Sequence, residues 1–200
     1  MKALTVAIAA VAALILGLVL GALLLGNETE PGDQSAEAGF ARDMSVHHAQ
    51  AVELAFIVRD RTDDPEVRAM AYDIINTQRA QIGMFSGWLQ QWELPQTSVR
   101  PPMEWTDHGH SDAMMASYDD MPGMASDADL QKLRDASGRE AEILFLQLMI
   151  EHHKGGVEMA EAVLPLTERE EVTYLADTIV AGQQAEIATM EDMLAARNAL

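Results

Sequence analysis

The chain repeats itself at a fixed spacing, and that constrains its fold more than any other feature. The stretch MSVHHAQAVELAF (residues 44–56) has a counterpart in MIEHHKGGVEMAEAV (149–163), with matching residues 105 positions apart. Phe40 falls on Phe145, Met44 on Met149, His47-His48 on His152-His153, Val52-Glu53 on Val157-Glu158 and Ala55 on Ala160. The same offset continues downstream, where TQRAQIGMFSGWL (77–89) lies on GQQAEIATMEDML (182–194), with Gln78 on Gln183 and Ile82 on Ile187. The repeated unit is therefore a whole hairpin, and not merely a short motif.

Each half reads as two helices. In the first half a helix runs from about Ser35 to Asp60, and Asp64-Pro65 supplies an N-cap and an N1 proline for a second, to about Glu93. In the second half Ser137 with Glu140, and Thr167 with Glu170, have the spacing of capping boxes. They predict helices over roughly 138–164 and 168–197, with Pro165 ending the former. Between the halves lies a crossover, 94–126, rich in Pro, Gly, Asp, Met and His; Ser126 then caps a short helix over about 127–136. No useful strand alternation occurs. The expected fold is all-α: a ferritin-like four-helix bundle of two duplicated hairpins with one long crossover.

Residues 4–25 are uncharged and almost wholly apolar, follow Lys2 and precede an acidic stretch. As a helix rising 1.5 Å per residue, the run could cross a hydrocarbon core of ~30 Å. The charge asymmetry predicts an anchor with its N-terminus inside and the remainder outside. The rival is a cleaved signal peptide, with Ala36-Glu37-Ala38 as a small-x-small site. Either way the functional part is exported. The expected organisation is a signal-anchor or transmembrane segment (1–26), a linker (27–38) and a bundle domain (39–200), its halves about 40–92 and 145–197.

Positions 40, 44, 47, 51, 54 and 58 step by four and three residues, the spacing of one helical face. They hold Phe40, Met44, His47, Ala51, Leu54 and Val58; the equivalent stripe is Phe145, Met149, His152, Gly156, Met159 and Val163. His47 and His152 are thus expected to face the bundle interior, each one turn from a methionine. His48 and His153 lie about 100° further round. Small residues at Ala51 and Gly155-Gly156 suggest close approach of the two His-His helices, bringing four imidazoles and at least two thioethers together. The plainer reading is of hydrogen-bonded core histidines among plastic methionine filler. Burying several ionisable groups is costly unless something satisfies them, and a metal is the most economical satisfier.

The chain has no cysteine but 13 methionines. Imidazole with thioether suits copper, as Cu(I) or Cu(II); zinc would gain little from the methionines. The candidate ligands are Met44, His47, His48, Met149, His152 and His153. The crossover adds His108, His110, Met114, Met115, Met121 and Met124, with Met103 beside them. A di-iron oxidase would need Glu-x-x-His pairs, which are missing; Glu53 and Glu158 are expected on the polar face or behind the ligands. With 32 acidic against 13 basic residues and a net charge of −19, nucleic acid is an unsuitable partner. No nucleophile triad, phosphate-cradling loop or dinucleotide fingerprint points to catalysis.

The segments FARDMSVHHAQAVELA and MPGMASDADLQKLRDASGREAEILFLQLMIEHHKGGVEMAE resemble domain-of-unknown-function family 305, a ferritin-like group of exported bacterial proteins. The resemblance spans roughly 39–197. Some members of that family are associated with copper binding and tolerance, and Met44, His47, His48, Met149, His152 and His153 stand at the matching motif positions. The expectation is an exported copper-binding protein that buffers the ion or hands it to a transport partner, as a monomer or homo-oligomer. A non-metal interaction module is the alternative, with a di-metal redox enzyme third.

Overall fold

The computed structural model describes residues 10–11, 13–17, 30–106 and 117–197. Among them there is no strand. The chain forms two units, Met1–Glu30 and Pro31–Leu200. In the first, residues 13–17 are helical, and Val11, Leu14, Ile15 and Leu16 are exposed. Most of the expected membrane-crossing run lies outside the described residues, among which no helix is long and apolar enough to span a bilayer.

Among its described residues the second unit has four long α-helices and one short one, besides 3-10 turns at Tyr118–Asp120 and Leu164–Leu166. Helix α1 (Ala36–Arg59) and helix α2 (Pro65–Gln91) make the first hairpin; α3 (Asp127–Asp135) follows the crossover; α4 (Gly138–Val163) and α5 (Glu170–Ala196) make the second hairpin. The predicted starts of α1, α2 and α3 are found with their caps. Ser35 accepts from the Ala38 N–H, Asp64 from Glu66 and Val67 ahead of Pro65, and Ser126 from Asp129. The two predicted capping boxes do not form. Ser137 makes no side-chain cap, because Gly138 takes a left-handed φ of 55° while its N–H donates to the Arg61 carbonyl. The Thr167 hydroxyl instead donates to Glu37 and accepts from the Arg169 N–H, so α5 starts at Glu170, after a 3-10 turn that contains Pro165.

Ala36–Ala38, the alternative cleavage site, is the first turn of α1, with Ala38 fully buried. Cleavage there would remove the Ser35 cap.

Helices α1 and α4 pack against each other at the centre, and α2 and α5 lie on their own hairpin partners. All twelve residues of the two predicted stripes are buried. The core divides in two. One apolar cluster joins the C-terminal part of α1 (Ala51 to Val58) to the N-terminal part of α4 (Ala141 to Ile150). The other joins Phe40, Ala41 and Met44 to Met159, Ala160 and Val163. Helices α1 and α4 therefore run antiparallel, and the four histidines sit between the clusters.

The crossover is tied to one face of α1. Asp43 accepts from both the Met103 N–H and the Trp105 indole, each at 2.7 Å. Two turns on, Gln50 makes a two-way pairing with the Ala125 backbone. Trp105 lies against Gly39, where a Cβ would overlap its ring. The MPGM turn, with Gly123 at φ 74°, rests on α4: a Cβ at Gly155 would meet the Pro122 carbonyl, and one at Gly123 the Glu151 carbonyl.

Candidate metal centre

His47, His48, His152 and His153 have no exposed surface at all. His47 and His152, equivalent in the repeat, stack with ring centroids 3.8 Å apart and planes inclined by 33°. Each has its sequence neighbour 6.4 Å away, at inclinations of 51° and 55°. The local symmetry predicted by the 105-residue offset is thus present in the ring geometry.

The hydrogen bonds decide which nitrogens are committed. The His47 Nε2–H donates to the Pro122 carbonyl at 3.0 Å, since a carbonyl can only accept. The His48 Nε2–H donates to Gln81 Oε1 at 2.7 Å, and the His153 Nε2–H to the Glu186 carboxylate at 2.6 Å. In all three rings Nδ1 is left without a partner, and His152 has no hydrogen bond at either nitrogen. A backbone group of His47 lies near enough to His152 to favour its charged form slightly, without the geometry of a bond. Gln78 and Gln183, one turn before Gln81 and Glu186, are also buried with both amide atoms unpartnered. Of ten buried side-chain N and O atoms lacking a partner among the described residues, five belong to these histidines and four to these glutamines; the tenth is Trp92 Nε1. Native interiors normally satisfy such atoms, and each one left alone costs about 1–3 kcal/mol. Their concentration in one layer marks it as built for something other than stability.

Burial sets the charge of the layer. It pulls His47 down to about 4, against the opposing pull of the Pro122 carbonyl and with help from the His153 charge. Burial, then repulsion from His47, pulls His48 to about 3, with Gln81 opposing. His152 lies well below the ordinary histidine value, again through burial first and then the charges of His47, His153 and His48. These three rings are neutral at pH 7, the form a metal ion takes as ligand.

The methionines divide between the two clusters. Met44 lies on one side of the layer with Met103, Met121 and Met159, and Met149 on the other with Met190 and Met193. Met124 is half-buried against the first group. His108, His110, Met114 and Met115 lie outside the described residues. One expectation needs correction. The two glycines do not serve close approach of the His-His helices: Gly155 is covered by the Pro122–Gly123 backbone, and Gly156 by the Gln183 side chain. The four imidazoles do lie together, with His47 stacked on His152, while among the described residues no group of three or more His, Asp or Glu side chains is arranged to hold an ion. The donors fit a soft cation by chemistry, whereas the stacked rings would have to turn to share one. Glu53 and Glu158 are exposed, as expected; Glu53 pairs with Arg134.

Sequence reasoning did not single out the partners behind the rings. Gln81 and Glu186 are equivalent at the 105-residue offset, and that equivalence was the signal available. The backbone acceptor at Pro122 and the anchors Asp43 and Gln50 carried none.

The profile of the family described as Domain of unknown function (DUF305) matches residues 37–194. No curated protein matches the chain. Among solved structures, a DUF305 protein from Streptomyces coelicolor, inferred to be secreted, is 50% identical with a TM-score of 0.76, covering 84% of this chain and 97% of its own. A DUF305 fragment from Deinococcus radiodurans is 36% identical with a TM-score of 0.65, covering 80% and 95%. CopM in its Cu(I)-bound form is 27% identical with a TM-score of 0.61, covering 79% and 94%; it has also been solved with Cu(II) and with silver.

Proposed function

Because the chain belongs to the DUF305 family, we propose that it is an exported binding protein, not an enzyme, whose cargo is copper. The observation that carries this reading is the inventory of uncommitted nitrogen: three Nδ1 positions and both nitrogens of His152, buried and unpartnered. The neutral state of His47, His48 and His152 supports it, as does a methionine on each side of the layer. Soft thioethers beside imidazoles favour Cu(I), with Ag(I) as its mimic, over zinc. Similarity to CopM, solved with Cu(I), Cu(II) and silver, points the same way. The motif pairs Met44, His47, His48 and Met149, His152, His153 would hold the ion in the bundle. The crossover ligands His108, His110, Met114, Met115, Met121 and Met124 would capture it or cover it. Export is supported by the inferred secretion of the Streptomyces relative, and the apolar N-terminal run would serve as anchor or signal.

The test is titration of the full chain with Cu(I), Cu(II), Ag(I), Zn(II) and Fe(II), read by thermal melting and bound-metal analysis. A ligand that binds only the folded state at a hundredfold excess over Kd stabilises by about 2.7 kcal/mol. The expected result is a rise selective for copper and silver that disappears in the double variant His47→Gln, His152→Gln. Absence of any rise would leave a packed helical module and end the copper reading.

A further inference from the structure

The two halves of the histidine layer are equivalent in backbone but not in chemistry. At the position behind His48 stands Gln81, and at the repeat-equivalent position behind His153 stands Glu186. A neutral amide oxygen accepts the first Nε2–H and a carboxylate the second. A carboxylate acceptor polarises an imidazole more strongly, which raises the donor strength of the remaining nitrogen and fixes the ring's orientation. Here the remaining nitrogen is the unpartnered Nδ1 of His153.

Exposure differs in the same sense. The His153 side chain has no exposed surface, while that of Glu186 is 25% exposed. Gln81 is 8% exposed. Glu186 thus touches water at one end and a buried ring at the other. The second half also holds three unpartnered ring nitrogens, two of His152 and one of His153, against two in the first. In the first half the His47 Nε2–H is committed to the Pro122 carbonyl of the overlying turn. The partly exposed carboxylate, the strengthened donor and the ring with both nitrogens unpartnered therefore coincide on one side.

We propose that Glu186 is a positioning residue that makes the His152–His153 half the tighter, first-filled side of the layer, polarising His153 so that its Nδ1 is the first imidazole donor to a soft monovalent cation. The assignment rests on the copper reading above. The His47–His48 half, whose rings donate to a neutral carbonyl and a neutral amide, fills second.

The experiment uses the full chain and its Glu186→Gln and Gln81→Glu variants, with melting curves to verify folding. In the metal-free proteins, nitrogen-15 and proton NMR reads the side-chain signals of His153. In parallel, Cu(I) affinity is measured by competition with a chromophoric chelator. Glu186→Gln is expected to move the His153 Nε2–H resonance upfield and to weaken the tightest site about 10- to 100-fold, the range for loss of such a supporting partner. Gln81→Glu is expected to tighten the other half. A wild-type chain that takes up Cu(I) and a Glu186→Gln variant that binds it equally well would overturn the assignment and leave the copper reading standing. A wild-type chain that takes up none would overturn both.

Discussion

His47 and His152 face each other ring to ring, 3.8 Å between centroids, at positions 105 residues apart in a repeated sequence. The contact is fully buried, and His152 brings two unpartnered nitrogens to it. A pair of this kind costs the fold free energy when nothing is bound.

Replacing His152 with leucine, a side chain of similar volume, removes two unsatisfied atoms. The metal-free variant should be more stable than the wild type by on the order of 1 kcal/mol in urea denaturation. It should also lose its response to copper. A less stable variant would show that the imidazole contributes to packing in a way its hydrogen bonds do not reveal.

Acid should unfold the protein through the same rings. His47 and His48 titrate at about 4 and 3 in the folded state against 6.5 when unfolded, and His152 is depressed in the same direction. Between these limits the unfolded chain binds the extra protons, so stability is full above about pH 6.5 and declines as pH falls. Each ring contributes a slope of up to about 1.4 kcal/mol per pH unit until its own folded value is reached. Denaturation midpoints across pH 3–8 read this directly. Insensitivity between pH 6.5 and 4 would contradict the buried, neutral layer.

Gly155→Ala places a methyl group on the Pro122 carbonyl. The MPGM turn must shift, and with it the acceptor of His47. The expected cost is about 1–3 kcal/mol, with faster proteolysis in the turn. Gly87→Ala, where a Cβ meets nothing within 4 Å, should instead stabilise α2 by about 0.5–1 kcal/mol.

Asp43→Ala leaves the Met103 N–H and the Trp105 indole N–H without their acceptor. A loss of about 2–4 kcal/mol is expected from two buried donors, with a red shift of tryptophan emission. Unchanged emission would mean that the crossover is held chiefly by the packing of Trp105 on Gly39 and Phe40.

Much of this arrangement was legible in the chain. The 105-residue offset gave the hairpins, Ser35, Asp64-Pro65 and Ser126 marked helix starts, and four-three spacing put His47 and His152 inside. Those signals are local, or repeat a local pattern. The capping boxes failed because a local signal competes with distant partners: Gly138 with Arg61, Thr167 with Glu37. The glycine pair was misread for the same reason, as smallness at Gly155 does not say whether a helix or a turn occupies the space. Asp43 and Gln50 reach backbone 60 and 75 residues away, and backbone acceptors leave no trace in residue type. The face-to-face stacking of His47 on His152 depends on rotamers that spacing does not encode.

The difference between Gln81 and Glu186 has a further consequence. Two separate identical hairpins, associating face to face around a twofold axis, would carry every substitution twice. A carboxylate behind one histidine would then require a carboxylate behind the other. Joining the hairpins through the crossover frees each copy to vary alone. One chain can therefore keep the architecture of a symmetric dimer while giving its two imidazole pairs a front and a back.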